Sequence, residues 1–189
     1  MGSYKVLAIN PGSTSTKIAV FQGEEKLYGA NVNHDASDLA KFKEISDQLD
    51  FRFTMIKNML AENGVDLTGL DAVVGRGGGL MASEGGVYGI NEVLFDHAVR
   101  GANGVQHPAQ LGPQIAKLFS DEYKCPAYVV NPPDTDEIIP EARMTGLTGV
   151  FRNVHLHALN QKETAIQHAK TLGKKYEDCN FVVAHIGGG

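Results

Sequence analysis

Three stretches hold residues whose types and spacing suit anion chemistry. The first is Asn10-Pro11-Gly12-Ser13-Thr14-Ser15-Thr16-Lys17. It falls between two apolar runs and reads as a tight turn. Gly12 permits the turn, the hydroxyls and backbone N–H groups supply donors, and Lys17 adds a cation, a set able to cradle a phosphate. It is not a Walker loop, because no second glycine precedes the lysine and no helix follows. Taken alone, the same residues also make an ordinary hairpin turn. The second stretch is Gly75-Arg76-Gly77-Gly78-Gly79. A lone Arg among glycines at a strand end can fork two N–H bonds onto a carboxylate, and the glycines leave room beside it for an acyl chain. A solvated Arg in a flexible loop is the competing reading. The third is His185-Ile186-Gly187-Gly188-Gly189, which reads either as a second phosphate loop after a strand or as a tail.

Three histidines add to these, His107, His155 and His157. His157 opens a helical stretch, where an imidazole and the helix dipole can meet an anion. The spacing His155-x-His157 is a weak metal signal, since no Cys or acid lies nearby. Asp134-Thr135-Asp136-Glu137 follows a strand end, where carboxylates hold Mg2+ directly or through water, or else favour a helix start. No single stretch decides. Their order does: a phosphate-type turn, an Arg for a carboxylate, histidines, acids and a second glycine loop form an inventory for phosphoryl transfer.

The elements that must position these residues follow from hydrophobic period. Apolar strands are predicted at 4–9, 16–21 and 26–32, giving an antiparallel meander. A helix over 38–63 follows, capped by Ser37 or Asp38, ended by Gly64 and broken once near Asp50. Strands at 71–74, 127–130 and 181–186 then alternate with helices at 91–100, 111–123 and 155–172. That alternation implies a parallel sheet with ligands at the carboxyl ends of its strands.

The 189 residues are 42% hydrophobic and 21% charged, enough for a packed core. The apolar runs are too short for a membrane span, and the N-terminus carries no secretory signal. The net charge of -5 and the lack of a basic patch argue against nucleic acid. Cys125 and Cys179 read as two buried thiols in a reducing cytoplasm. A strand ending in Gly187-Gly188-Gly189 with nothing after it suggests a piece of a longer chain.

Several stretches together resemble the butyrate kinases, grouped with the acetate kinases in the actin-like ATPase superfamily. They are residues 9–17, Gly75-Arg76-Gly77-Gly78, Gly85-Gly86-Val87-Tyr88, His157-Ala158-Leu159-Asn160-Gln161-Lys162 and Ala184-His185-Ile186-Gly187-Gly188-Gly189. The resemblance implies an α/β, ribonuclease H-like domain: a mixed sheet opening on the meander, with helices on both faces. It makes residues 1–189 an N-terminal acetokinase-type domain, ending within the start of a second domain, with the C-terminal domain absent. It implies that ATP, with Mg2+, phosphorylates a short-chain carboxylate to an acyl phosphate, reversibly, in a cytoplasmic homodimer.

By the same resemblance Asn10, Ser13, Ser15 and Lys17 form the first phosphate site, and His185, Gly187, Gly188 and Gly189 open the second. Arg76, His157 and His107 are the catalytic set, with His157 stabilising the transition state. Gly77 and Gly78 stand where acetate kinases carry bulkier Val, which implies a pocket for a four-carbon or branched acid. Asn131 stands where the family usually has Asp; Asn10, Asn131 and Asp134 are the candidate metal ligands. The expected chemistry is in-line transfer with the negative charge met by Arg76, protonated His157, Lys17 and Mg2+. Two other readings stay open: a binding or dimer-forming fragment or weak pseudo-kinase without turnover, and an actin-type nucleotide scaffold with no acid substrate.

Overall fold

A computed structural model describes residues 2–154 and 156–186 of the protein. The chain opens with β1 (Lys5–Pro11), β2 (Ser15–Gln22) and β3 (Glu25–Asn33), followed by the short α1 (Ala36–Leu39) and α2 (Leu49–Glu62). Next come β4 (Ala72–Gly75), β5 (Val87–Gly89), α3 (Glu92–Arg100) and α4 (Leu111–Tyr123). β6 (Ala127–Val130), α5 (Pro140–Arg143) and α6 (Ala158–Thr171) complete the order.

Among the described residues six strands form one sheet in the order β3-β2-β1-β4-β6-β5. β1, β2 and β3 make the expected antiparallel meander. β4 lies parallel to β1, and β6 parallel to β4, so β1, β4 and β6 end on the same edge. β5 is antiparallel to β6. Its three residues are too few to show a period in the sequence.

Strand alternation sends one set of side chains inward. Leu7, Ile9, Ile18, Val20, Val32, Val73 and Ala127 are buried against Ile56 and Leu60 of α2 and Leu111, Ile115 and Phe119 of α4. Phe53 meets Phe119 edge to face, with ring centroids 4.8 Å apart. Each fully buried Leu, Ile or Phe here stabilises the fold by roughly 1.5–3 kcal/mol. The opposite sheet face carries smaller residues, among them Ala8 and Ala19, and α6 begins beside it.

The N-terminus of α4 comes very close to the end of β4. A Cβ on Gly75 would overlap the carbonyl of Gly112, and one on Gly112 would overlap the carbonyl oxygen of Arg76. The paired glycines allow a backbone-to-backbone approach that any side chain would prevent.

Three expectations change. The helix predicted over 38–63 does break near Asp50, with the continuous helix starting at Leu49, but before it only α1 and a single 3-10 turn at Ser46–Gln48 are helical. The intervening backbone is diverted by its own side chains: Asp47 Oδ2 accepts from Glu44 N at 3.0 Å, and Ser46 Oγ donates to Val99 O at 2.6 Å. Phe42 turns in against Phe51, with centroids 5.5 Å apart. Residues 181–186 form no strand among the described residues, where no strand lies alongside to share a ladder, and Val182 and Ile186 are exposed. Both cysteines are free thiols, but only Cys125 is buried; Cys179 is half-buried.

Candidate functional site

β1 and β4 bring the first two chemical stretches together by register. Ile9 pairs with Gly75, so Asn10 and Arg76 emerge side by side, and Arg76 N donates to Ile9 O at 2.8 Å. Across the meander Asn10 pairs with Lys17. The result is a row of Lys17, Asn10 and Arg76 along one face, tied by a 3.3 Å bond from Arg76 Nη1 to Asn10 Oδ1. Desolvation lowers the pKa of Arg76 from its ordinary value, but the guanidinium stays charged at neutral pH.

The row borders a cavity of about 580 Å3. Ala8, Ala19 and Val74 make its floor, and their small size is what leaves the space. Val130, Asn131 and Pro133 line the β6 side, and His157, Leu159, Asn160 and Glu163 line the side contributed by α6. The helix is braced to the sheet end: Leu156 N donates to Pro133 O at 3.1 Å, and Lys162 Nζ reaches Glu137 Oε1 at 2.6 Å. The same carboxylate accepts from Gly85 N at 3.0 Å, where a side chain at residue 85 would overlap both charged groups.

The histidines are held in defined tautomers. Asn160 Nδ2 donates to His185 Nδ1 at 3.2 Å. His185 Nε2 must then carry a proton, which it gives to His157 Nδ1 at 3.0 Å. A neutral His157 therefore presents Nε2–H. His107 Nδ1 accepts from Ala109 N at 3.1 Å, and Gln110 Oε1 accepts from His107 N at 2.9 Å, closing a capping box. His107 thus also presents Nε2–H when neutral. Desolvation first and the Arg76 charge next lower both imidazoles below their ordinary value, with His157 adding to the effect on His107 and His185 to that on His157. For His157, burial and the Arg76 charge thus favour the neutral imidazole.

Other expected residues are distributed as follows. Ser13 and Ser15 lie in the turn beyond Asn10 and do not line the cavity. His185 is described and touches His157, while His155, Gly187, Gly188 and Gly189 lie outside the described residues. Gly77 and Gly78 do not open the acyl pocket. They are buried, and a Cβ would stand 2.6 Å from Pro132 Cβ and Ala109 Cβ respectively, so close packing accounts for both.

Of the candidate metal ligands, Asn10 and Asn131 line the main cavity and Asp134 does not. Asn10 Oδ1 accepts from Arg76, and Asn131 Oδ1 from Gly86 N at 2.9 Å. Asn131 also sits at φ 39, a conformation Asn tolerates better than most residues. Asp134 lines a separate small cavity of about 290 Å3 and accepts from Asn103 Nδ2 at 2.6 Å. Among the described residues Glu163 is the one carboxylate lining the main cavity, and no group of three or more His, Cys, Asp or Glu gathers. These residues do not build a Mg2+ site on their own, since such sites rely on one or two carboxylates plus phosphate oxygens.

The sequence reading missed Arg52. It is fully buried on α2 and its guanidinium reaches the inner side of the 10–17 turn. The signal was available: Arg52 falls between Leu49 and Ile56 on the apolar stripe of the helix, where a charge needs a reason. Asn160 and Leu159 were within the quoted stretch but carried no assigned role.

The fold defines the class first. It is the fold seen in acetate kinases: acetate kinase from Porphyromonas gingivalis matches with a TM-score of 0.59 at 17% identity, over 92% of this chain and 50% of that one. Acetate kinase from Entamoeba histolytica matches at 0.58 and 16%, over 89% and 47%. In sequence, the chain is 43% identical over 187 residues to a probable butyrate kinase of Clostridium botulinum, covering 99% of this chain and 52% of the relative. A probable butyrate kinase of Listeria monocytogenes matches equally, and butyrate kinase 1 of Clostridium acetobutylicum at 41% over 186 residues. No family profile matches the chain. The chain spans about half the length of the curated relatives it matches.

Proposed function

We propose that the whole protein is a carboxylate kinase, and that this chain supplies its N-terminal acetokinase-type domain. It transfers the terminal phosphoryl group of ATP to a short-chain acid of the butyrate class. The observation that carries the reading is the row Lys17, Asn10 and Arg76 beside an apolar cavity. Arg76 offers a fork for an anionic oxygen pair, and Ala8, Ala19, Val74, Val130 and Leu159 offer an apolar surface to a hydrocarbon tail.

In the proposed reaction a carboxylate oxygen attacks the γ-phosphorus, that O–P bond forms, and the bond to the β-phosphate oxygen breaks with its electrons leaving on ADP. The acid is already ionised near pH 7, so no general base is required. What the site must do is hold two anions together. Arg76 and Lys17 supply fixed charge, and His107 and His157 supply neutral N–H donors that need no proton uptake before binding. Mg2+ belongs to this reading as an ion arriving on the nucleotide. A cytoplasmic homodimer, and no turnover from the 189 residues by themselves, complete the proposal. No helix among the described residues is long and apolar enough to cross a membrane.

The test is an acid-dependent assay on the full-length protein with ATP, Mg2+ and a panel of straight and branched acids from two to six carbons. Acyl phosphate should form fastest with acids of four or five carbons. ATP binding without acid-dependent ADP release would leave a nucleotide scaffold or pseudo-kinase instead.

A further inference from the structure

We propose that Arg52 is the positioning residue of the 10–17 turn, drawing the turn's carbonyl oxygens inward so that the opposing N–H groups face outward as a nest for nucleotide phosphates. The inference rests on the reading above that this turn meets phosphate, and it adds a residue remote from the cavity.

The guanidinium sits under the turn as a hub. Nη1 donates to Gly12 O at 2.8 Å, to Thr16 Oγ1 at 3.3 Å and to Ser15 O at 3.4 Å. Nη2 donates to Ser13 O at 3.2 Å. One turn back, just before α2, Gln48 Oε1 accepts from both Nε, at 3.0 Å, and Nη2, at 2.9 Å, which fixes the plane of the fork. Two backbone donors finish the set. His34 N donates to Thr14 O at 2.9 Å, and Gly12 N to Ser15 O at 2.7 Å. All four carbonyls from Gly12 to Ser15 are therefore bonded within the protein.

Peptide geometry turns this into an outward property. Every peptide bond described is trans, so a carbonyl and the N–H that follows it point opposite ways. With the Gly12 and Ser13 carbonyls held inward, the Ser13 and Thr14 N–H groups point away from Arg52. Successive outward N–H groups form an anion nest. The buried charge lies beneath that nest and adds attraction for a polyanion.

A packing role alone does not explain the choice of residue. Among the described residues no carboxylate pairs with Arg52, and its hydrogen-bonded partners are neutral oxygens. A buried charge without an opposite charge is costly, and an apolar residue of similar volume would fill the space without that cost. The guanidinium does what an apolar residue cannot, since one planar group addresses carbonyls on three different residues.

The readout is the ratio of the dissociation constants for adenosine and ATP, measured by calorimetry on the full-length protein. Wild type should bind ATP more tightly than adenosine. Arg52→Met should lose about tenfold or more of its ATP affinity and keep its adenosine affinity. Arg52→Lys, which keeps the charge and loses the planar fork, should fall between, and Gln48→Met should shift the ratio the same way by less. If Arg52→Met does not fold, the other two variants decide. Folded variants whose ratio stays within about twofold of wild type overturn the proposal. A wild-type protein that binds ATP no more tightly than adenosine overturns the phosphate reading of the turn itself. Phosphate-dependent binding lost on substitution, in a protein that phosphorylates no acid, keeps the Arg52 role and removes the kinase.

Discussion

At the scale of single residues, charge and tautomer decide the chemistry. Arg76 lines the cavity beside Asn10, and its planar guanidinium is the kind of group that forks onto a planar anion. Arg76→Ala should lower kcat/KM for the acid by about 100-fold or more, because the carboxylate and the phosphoryl group lose their shared cation. Arg76→Lys should recover little, since an ammonium cannot reproduce the fork. Steady-state kinetics with the acid as varied substrate checks this, and unchanged constants would remove Arg76 from the site. Asn160 acts one bond further out. Asn160→Leu removes the donor to His185 Nδ1, frees that ring to flip, and so loosens the tautomer of His157. A kcat about tenfold lower with an unchanged melting temperature is expected. A fall in melting temperature with kcat preserved would make Asn160 structural.

At the scale of elements, hydrophobic period was enough to place the strands of the meander, β4, β6 and the helices α3, α4 and α6. It failed where side chains compete with the backbone. Leu39, Phe42, Ile45 and Leu49 have helical spacing, yet Asp47 and Ser46 spend backbone and side-chain bonds on other partners and the helix breaks. The stretches that meet at the candidate site were readable because glycines, hydroxyls and Arg76 cluster in sequence as they do in space. The position of Arg52 on the apolar stripe was readable but its partners in the turn were not, because those contacts lie 36 to 40 residues away in the chain. Gly77 and Gly78 were read as empty space when each is filled by a neighbour from a distant segment. The same kind of contact gives a prediction at Gly112. An added methyl has only the rigid Arg76 carbonyl to meet, so α4 must shift away from β4. Gly112→Ala should cost about 3 kcal/mol and lower the melting temperature by roughly 6–12 °C. It should also weaken catalysis by moving Arg76. A melting temperature equal to wild type would mean that the helix and strand are not held at this distance.

At the scale of the whole molecule, the sheet topology is what gathers the site. β1, β4 and β6 are parallel, so the 10–17 turn, the Arg76 loop and Asn131 meet at one edge although they are far apart in sequence. Stability of the whole depends on the protons that this edge refuses. His34, at the end of β3, is buried, and its Nε2 lies 2.9 Å from Thr16 Oγ1. Arg52 donates to that hydroxyl, so the hydroxyl proton goes to His34 Nε2 and the imidazole is an acceptor there. The Phe51 ring lies 5.6 Å away, and Arg52 is the charge that faces it among the described residues. Burial first, and then Arg52, push the His34 pKa down from 6.5 to about 4. In the unfolded chain the imidazole takes up a proton below pH 6.5, whereas in the folded chain it does so only near pH 4. The unfolded state thus binds more protons between those values, and stability rises with pH across the window. Above pH 6.5 the full stability is present; acidifying from there to pH 4 should remove on the order of 3 kcal/mol from this one group. Carboxylates held low by their partners lose stability in the same direction, so the variant His34→Gln separates the contributions. Its amide oxygen can accept from Thr16 without titrating. Urea midpoints measured at pH 7.5, 6.0 and 4.5 should fall steeply for wild type and distinctly less for His34→Gln. Parallel falls in both proteins would assign the acid sensitivity to the carboxylates and leave His34 without a part in it.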